Sequence, residues 1–306
     1  MLGLEELGEP LARSAVTIGK FFAVHRGHQS LIRETVAAAR SQGAEAVVVT
    51  FDRHPLEVLR PDLELPILAG LEERLGWIEA EGPDVALVAR VTEEFLAQEP
   101  EDFVRAVLVE RLRAVEVLAS DNFRFGRGAR GDLALLRRLG EECGFRHTSV
   151  APVLEGGERI SSSRVAECVG AGHVASAARL LGRPYAVPGV VVPGEQVGRQ
   201  LGYPTANVRT QPRRLLPADG IYVVRGAVPG IETPVPGVAS LGVRPTVGGR
   251  PRLLEVHLLD WEGDLYGQTL RVDFLERLRD EERFPDLDSL RAQIGRDVDA
   301  ARAYHA

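Results

Sequence analysis

The sequence predicts two domains: an α/β domain with a Rossmann-like parallel sheet over residues 1–183, and a small antiparallel β-barrel with a C-terminal helix over residues 184–306. In the first half, apolar runs of strand length alternate with segments of helical spacing, which is typical of a parallel sheet. Over residues 185–260 the chain is instead rich in Val, Pro and Gly, and short strands alternate with turns. The boundary is predicted near residues 182–184.

Length and composition limit the class of protein. A chain of 306 residues, 44% of them apolar, suffices for two packed cores. The formal charge of −7 argues against broad nucleic-acid binding, which needs a basic face. The two cysteines, Cys143 and Cys168, are too few for a metal cluster and are expected to be reduced thiols. Residues 4–10 lack the pattern of a signal peptide, and no apolar run could cross a membrane, so we expect a cytoplasmic protein without a membrane partner.

The first domain opens with a strand–helix–strand unit that places two histidines in a turn. His25 and His28 follow the first strand and precede the helix, which is expected to stop at Gly43. Ligands bind at the carboxyl ends of strands in such sheets, and helix-terminal N–H groups favour phosphate. The two imidazoles are therefore candidates for stabilising a transferred phosphate; the alternative is that they only cap the helix and face solvent. The unit consists of a strand at 15–18, a helix at 29–40 and a strand at 46–50.

The remaining elements of the first domain follow from the same two periodicities. His54 lies in the loop after the second strand, on the same rim as the first turn, and is either a third ligand contact or an ordinary turn residue. Strands are predicted at 85–89 and 115–119, with an edge strand near 147–152. Helices are predicted at 71–80, 101–111 and 133–143, followed by one that ends near 170 and one at 175–181.

Two further turns have the composition of a phosphate or flavin site. Residues 120–132 contain three arginines, three glycines and two phenylalanines. Aromatic rings can stack on a flat ligand and arginines can pair with phosphate, whereas a merely flexible loop would not explain the phenylalanines. The serines of residues 161–163 precede a helix beside Arg164. These hydroxyls can donate to phosphate oxygens, and the alternative is a simple helix N-cap.

The second domain is predicted to carry two candidate groups on its barrel. Residues 198–207 combine glycines with Pro204, Thr205 and Asn207, and the two oxygen-bearing side chains suit Mg²⁺ carried by a nucleotide. Glu255 and His257 alternate with apolar residues on a strand, so Glu255 is either a general base at the barrel mouth or an ordinary surface glutamate. Strands are predicted at 187–192, 220–226, 235–241, 252–259 and 270–275, and a helix at 287–304 is expected to pack on the barrel through Leu290, Ile294, Val298 and Ala301.

Taken together, these stretches resemble the bifunctional riboflavin kinase/FAD synthetase family of bacteria over nearly the whole chain. The first half is similar to the FMN adenylyltransferase module, a member of the nucleotidyltransferase superfamily, through His-x-Gly-His at 25–28 and the turns at 122–126 and 160–163. The second half resembles the riboflavin kinase barrel. Its matching motifs are Gly-x-Pro-Thr-Ala-Asn at 202–207, Gly-Val-x-x-x-Gly-x-Arg-Pro-Thr at 237–246, Glu-x-His at 255–257 and Leu-Tyr-Gly at 265–267.

The resemblance implies two reactions, with riboflavin, FMN and ATP as partners and Mg²⁺ as cofactor. Riboflavin and ATP give FMN, and FMN and ATP give FAD with pyrophosphate. Glu255 would be the kinase base, and Thr205 and Asn207 would hold Mg²⁺ and the ATP phosphates. His25 and His28 would stabilise phosphate charge during adenylyl transfer. We also expect self-association. The other implied ATP contacts are Gly19, Phe21, Gly27, Ser161, Ser162, Ser163, Arg164, Gly198, Gly202 and Pro204; the implied flavin contacts are Asn122, Phe123, Arg124, Phe125, Arg244 and Arg279.

Four positions depart from the pattern of the family. It usually reads Gly-x-Phe-Asp-Gly-Val-His, whereas this chain has Phe22 for the Asp and Ala23 for the second Gly. Ala166 stands where an Arg is usual, and Ser120 stands where a Gly is usual. A bifunctional enzyme is the favoured interpretation. The alternatives are a riboflavin kinase with a degenerate first domain and a non-catalytic flavin-binding regulator.

Overall fold

The computed structural model describes residues 2–3, 6–195, 197–242 and 252–306. The chain divides into two compact units, Met1–Ser162 and Ser163–Ala306. This division lies earlier than the boundary predicted near residue 183. The reason is that the second of the two helices before the barrel packs against barrel strands through Val174, Ala177 and Leu180. None of the helices in the described ranges is long and apolar enough to cross a bilayer.

The first unit is built on a parallel sheet of six strands, in the order β1-β4-β3-β2-β5-β6. Both faces of the sheet are covered, as in other parallel sheets, because Val16 packs into one apolar cluster and Ala15 into another. The strands are β1 Leu2–Gly3, β2 Ser14–Ile18, β3 Glu45–Phe51, β4 Val85–Ala89, β5 Ala114–Ser120 and β6 Arg146–Val150, and a hairpin β7 Leu154–Glu155 and β8 Glu158–Arg159 follows.

The helices of the first unit confirm most of the predicted elements. α1 ends at Gly43, whose φ of 58° is left-handed. The predicted helix at 101–111 is α-helical only in its first turn and continues as a π-helix, Val104–Arg111. The loop after β3 contains a short helix that the sequence did not predict. The helices are α1 Arg26–Gln42, α2 Pro55–Leu59, α3 Leu71–Glu79, α4 Glu93–Ala97, α5 Pro100–Phe103 and α6 Leu133–Cys143.

The strand order fixes where a ligand site can form in the first unit. β2 is paired with β3 on one side and with β5 on the other, so the chain order reverses between β2 and β5. At such a switch point the loops that follow the two strands separate and leave a crevice at their carboxyl ends. The turn with the two histidines follows β2, and the arginine- and phenylalanine-rich turn follows β5.

The second unit is a closed antiparallel barrel with the strand order β10-β13-β12-β11-β14-β9. Tyr222, Leu254 and Val256 are buried inside it, and Val298 of the last helix packs on its outer face with Val223. The strands are β9 Tyr185–Val192, β10 Ala206–Thr210, β11 Gly220–Ala227, β12 Val235–Gly242, β13 Leu253–Leu258 and β14 Thr269–Arg279. The helices are α7 Ser162–Gly170, α8 Val174–Leu181, α9 Val197–Gln200 and α10 Leu287–His305. The sequence missed β10, which begins inside the predicted Gly-Pro turn.

Candidate functional site

The two histidines of the first turn form a stacked pair at the amino end of α1. Their ring centroids are 3.6 Å apart, and the rings are inclined by 13°. The backbone N–H of His28 donates to His25 Nδ1 at 3.3 Å, so a neutral His25 ring carries its proton on Nε2. Gly27 makes room for this arrangement, because a Cβ atom there would lie 3.2 Å from His25 Cε1. His25 does cap the helix, but it is 6% exposed and does not face bulk solvent.

Gly19 and Phe21, both predicted to contact ATP, have a clear packing role in the same turn. Phe21 is fully buried with a φ of 47°, and its ring meets the His28 ring edge-on at 5.1 Å. A Cβ atom on Gly19 would lie 2.9 Å from Phe21 Cζ, so only glycine lets the ring fold back. Ala23 is buried as well, so its methyl group does not project onto an open surface.

Phe22, which replaces the usual aspartate, lies between a histidine and a buried arginine. Its ring stacks on the His54 imidazole at 4.9 Å, and Arg74 Cζ is 5.0 Å from its centroid. Burial lowers the pKa of Arg74 to about 10, although Asp52 and Glu57 act in the opposite direction. The guanidinium remains charged at neutral pH. His54 caps α2 and forms a capping box with Glu57. It therefore has the structural role of a turn residue that the sequence analysis gave as the alternative to a ligand contact.

In the turn after β5, some side chains are buried in the core and others are accessible to a ligand. Phe125 is buried in the core and stacks on Phe123, with centroids 5.5 Å apart. Of these two rings only Phe123 is partly exposed. Arg130 pairs with Glu99 at 3.0 Å, whereas the exposed Arg124 donates only to the carbonyl oxygen of its neighbour Phe123 within the described residues. Arg124 is therefore the better placed of the two for a phosphate.

The structure also shows where Asn122, in the turn after β5, and the serines at 161–163 lie. Asn122 is exposed, and Ser120, which stands where the family has glycine, donates to Asn122 Oδ1 at 2.9 Å. The carbonyl oxygen of Ile160 lies 3.8 Å from the position that a Cβ atom on Gly27 would occupy. The residue before the serines is therefore close to the turn that holds His25 and His28. Ser161 and Ser162 follow directly and are half-buried. Ser163 and Arg164 belong to the first turn of α7, in the second unit.

A row of polar residues crosses the outer face of the barrel. Glu255 on β13 pairs in register with Asn207 on β10 and with Ser240 on β12. Side chains of directly paired residues lie on the same face of a sheet, about 5 Å apart. The flanking residues Leu254 and Val256 are buried inside the barrel. Glu255 thus lies on the outer face rather than inside a barrel mouth, and it is half-buried.

The segment before β10 is a tight turn held next to this row. Tyr203 N–H donates to Gly198 O at 2.8 Å, and a Cβ atom on Gly198 would collide with Tyr203 O and lie 3.3 Å from Thr205 Oγ1. Gly202 has a φ of 90°, which favours glycine. The carbonyl oxygen of Pro204 is 2.8 Å from His257 Nδ1, which ties the turn to β13. The structure therefore brings Thr205, Asn207 and Glu255 into one region.

The side chains of this region fit a Mg²⁺ ion that arrives with a nucleotide. Asn207 is 6% exposed, and its amide group occupies the space that a Cβ atom on Gly194 would need. Thr205 is half-buried beside it. Two neutral oxygen donors leave most coordination positions to the phosphates and to water, which Mg²⁺ retains in nucleotide sites, and the phosphates would supply the negative charge. Across the described ranges, no three His, Cys, Asp or Glu side chains are grouped to hold a metal by themselves.

Arg279, a predicted flavin contact, is engaged with α10. Its guanidinium donates to both carboxylate oxygens of Asp297, at 2.9 and 2.7 Å, and the side-chain hydrogen bond to Asp297 raises its pKa. Gln293 donates to the same carboxylate at 2.9 Å. The pair fixes the end of β14 relative to the helix. Arg244, the other predicted flavin contact of the barrel, lies outside the described residues.

Sequence reasoning did not single out two basic residues that lie next to the histidine turn. Arg74 belongs to a helix whose buried neighbours gave no signal for a buried cation. Lys20 directly precedes the aromatic turn, and it did carry a signal: it is the only lysine of the chain, although Lys and Arg together number 37.

Comparisons with known proteins match both units. The FAD synthetase family model matches residues 9–164, and the riboflavin kinase model matches residues 181–305. The bifunctional riboflavin kinase/FMN adenylyltransferase of Escherichia coli (strain K12) is 40% identical over 99% of this chain and 96% of its own length. That of Pseudomonas fluorescens is 38% identical, with coverage of 99% and 97%. The crystal structure of a macrolide-efflux protein from Streptococcus pneumoniae matches with a TM-score of 0.89 at 30% identity, covering 99% of this chain and 98% of its own. The chain belongs to the family of bifunctional riboflavin kinase/FMN adenylyltransferases.

Proposed function

We propose that the chain makes FAD from riboflavin in two ATP-dependent steps. The barrel phosphorylates riboflavin to FMN, and the α/β unit joins FMN to the adenylyl group of a second ATP and releases pyrophosphate. The observation that best supports the proposal is the presence of both candidate sites in one chain, the stacked His25 and His28 after β2 and the row of Asn207 and Glu255 on the barrel.

In the kinase step, Glu255 accepts the proton of the terminal ribityl hydroxyl group. The deprotonated oxygen attacks the γ-phosphorus of ATP, and ADP leaves with the broken phosphoanhydride bond. Thr205 and Asn207 would hold Mg²⁺ together with the phosphates, and the ion would neutralise their charge. The Gly198–Tyr203 turn positions Thr205, and Arg279 helps to orient the flavin.

In the adenylyl step, a phosphate oxygen of FMN attacks the α-phosphorus of ATP and the bond to pyrophosphate breaks. Little covalent work falls to the protein, so the residues act by positioning and by stabilising charge. His25 and His28 donate hydrogen bonds to phosphate oxygens, with support from Ser161, Ser162, Ser163 and Arg164. Asn122, Phe123 and Arg124 contact FMN from the turn after β5.

Two assays of the purified protein test this proposal. With riboflavin, ATP and Mg²⁺ we expect FMN and ADP, and with FMN, ATP and Mg²⁺ we expect FAD and pyrophosphate. Formation of FMN without FAD would leave only the riboflavin kinase and overturn the second half of the proposal. Absence of both products would overturn it entirely, in favour of a non-catalytic flavin-binding protein.

We expect Glu255→Gln to lower the turnover of riboflavin phosphorylation on the order of 10²–10⁴-fold, the usual contribution of a general base. The amide keeps the shape of the side chain but cannot take the proton. Glu262→Gln, at an exposed loop position, is the matched control and should retain full turnover. An unchanged rate in the Glu255 variant would mean that this side chain is an ordinary surface glutamate.

The cytoplasmic location, the self-association and the Mg²⁺ requirement stay predictions. Analytical ultracentrifugation with and without flavin tests self-association. Titrating both assays with Mg²⁺ after treatment with a chelator tests the metal requirement, because MgATP is expected to be the form that the Thr205 and Asn207 oxygens accept.

A further inference from the structure

Lys20 stands out among the basic residues of this chain. Lys and Arg together number 37, and Lys20 is the single lysine. It lies directly after β2, between Gly19 and the aromatic turn, and so at the switch-point rim of the sheet. All the other residues of this lysine and arginine total are arginines. A lysine side chain offers a compact ammonium with three rotatable N–H donors, whereas an arginine offers a wider, planar guanidinium.

The backbone of Lys20 is fixed while its side chain is available. Its carbonyl oxygen accepts hydrogen bonds from Thr50 Oγ1 at 3.1 Å and from Arg74 Nη1 at 3.3 Å. Both donors are buried residues, so the Cα position is well determined. The residue is exposed, and among the described residues its ammonium group makes no hydrogen bond or ion pair.

The His54 imidazole lies next to the segment that carries this ammonium. Its ring stacks on Phe22, two residues after Lys20, with centroids 4.9 Å apart, and the charge of Lys20 adds to burial in lowering the pKa of His54. His54 Nδ1 accepts a hydrogen bond from Leu56 N–H at 3.0 Å, so the neutral ring presents its proton on Nε2. Partial burial also lowers the pKa of Lys20 itself. The nearby Asp52 carboxylate is already engaged, by the side chain of Arg53 and the N–H of Val91.

An ammonium and an imidazole N–H that face the same rim suit the oxygens of a phosphate group. We propose that Lys20 is a phosphate-binding residue of the adenylyl-transfer site and holds a phosphate group of ATP or of FMN. This inference rests on the proposed FAD synthesis and adds to it a cation at the variable position x of the Gly-x-Phe-Asp-Gly-Val-His pattern. Lys20 also carries a positive charge close to Phe22, whereas the aspartate that the family usually has at position 22 would carry a negative charge.

The single lysine permits a direct binding test that needs no turnover. Reductive methylation with ¹³C-formaldehyde labels only Lys20 and the terminal amine, and Lys20→Met identifies the side-chain signal by its loss. We expect this NMR signal to shift on addition of pyrophosphate or of a non-hydrolysable ATP analogue if the site holds the nucleotide, and on addition of FMN if it holds the flavin phosphate. A signal that responds to none of the three overturns the proposal.

Kinetic variants give the second test. We expect Lys20→Met to lower kcat/KM for FAD formation at least about tenfold, the loss typical of a hydrogen bond to a charged group. Lys20→Arg should recover only part of this loss, because the guanidinium is wider. FMN formation should stay unchanged in both variants, and Arg13→Met, an exposed residue on the opposite end of β2, serves as control. Full FAD formation by Lys20→Met contradicts the inference, whereas absence of FAD formation in the unaltered protein would contradict the proposed function instead.

Discussion

Phe22 replaces an aspartate of the family, and its environment predicts which substitutions it tolerates. The ring provides the buried Arg74 guanidinium with a cation–π partner, and an aspartate would provide an ion-pair partner. We therefore expect Phe22→Asp to keep FAD formation within about threefold, whereas Phe22→Ala, which offers neither partner, lowers it about tenfold, in line with the 1–2 kcal/mol of such contacts. The rates of FAD formation by the two variants test this ranking, and their rates of FMN formation serve as the internal control. An alanine variant as active as the unaltered protein would show that the stack does not support the site.

Individual side chains differ in how far their roles follow from the sequence. The histidine pair and Glu255 could be placed because the periodicity of their elements fixes the strand end or the strand face on which they lie. Phe125 could not be placed: a phenylalanine in a glycine-rich turn fits a ligand contact equally well, and its burial depends on the packing of Phe103 against it. Arg74 was missed because its partners are carbonyl oxygens far away in the sequence, those of Lys20 and of Phe51 at the end of β3.

Among the elements, α10 connects parts of the barrel that are far apart in the sequence. Gly295 lies in the middle of this helix, where glycine is unfavourable. A Cβ atom there would lie 3.2 Å from Tyr203 Oη. Tyr203 in turn meets the His257 ring edge-on, with centroids 5.6 Å apart, and His257 holds the carbonyl of Pro204. The glycine therefore leaves space for the Tyr203 ring at the end of the Gly198–Tyr203 turn.

This contact predicts opposite effects on stability and activity. Gly295→Ala should favour the helix by about 1 kcal/mol and raise the melting temperature of the barrel. It should also raise KM for ATP in FMN formation about three- to tenfold, because the Tyr203 ring has to move slightly to make room for the methyl group and a misplacement of about 1 Å can cost on the order of 100-fold. Asp299→Ala, an exposed helix variant, controls for helix propensity alone. Adding Tyr203→Phe removes the hydroxyl that the methyl group meets, so the double variant should recover the KM of Tyr203→Phe; failure to recover it would contradict the coupling.

Element boundaries followed from the sequence where local signals define both ends. α6 was predicted at 133–143 and is found there, because Asp132 caps its start and Gly144, with a φ of 86°, ends it. The π-helix at Val104–Arg111 has no comparable signal, since its apolar spacing also fits an α-helix. β10 was missed because Gly-Pro turn residues precede it directly, and its pairing with β9 and β13 depends on residues far along the chain.

At the scale of the whole molecule, the sequence predicted both architectures, because alternating strand and helix periods differ clearly from a run of short strands. The division between them depends on a tertiary contact as well. α8 ends at the predicted boundary, yet its buried face packs on β9 and β14, and this tertiary contact decides to which unit the helix belongs. A helical pattern alone does not say which sheet will cover its apolar face.

The stacked histidines belong to the first unit and the row of Asn207 and Glu255 to the second, and we expect FMN to pass between the two active centres as a free product. We expect His28→Ala to lose FAD formation and keep FMN formation, and Glu255→Gln to show the reverse. A mixture of the two variants supplied with riboflavin, ATP and Mg²⁺ should then form FAD after a lag, since FMN released by the first variant must accumulate before the second uses it. Chromatographic time courses of both flavins measure this, and adding FMN at the start should abolish the lag. A mixture that accumulates FMN but forms no FAD would contradict independent sites and indicate that each chain passes its own FMN from one site to the other.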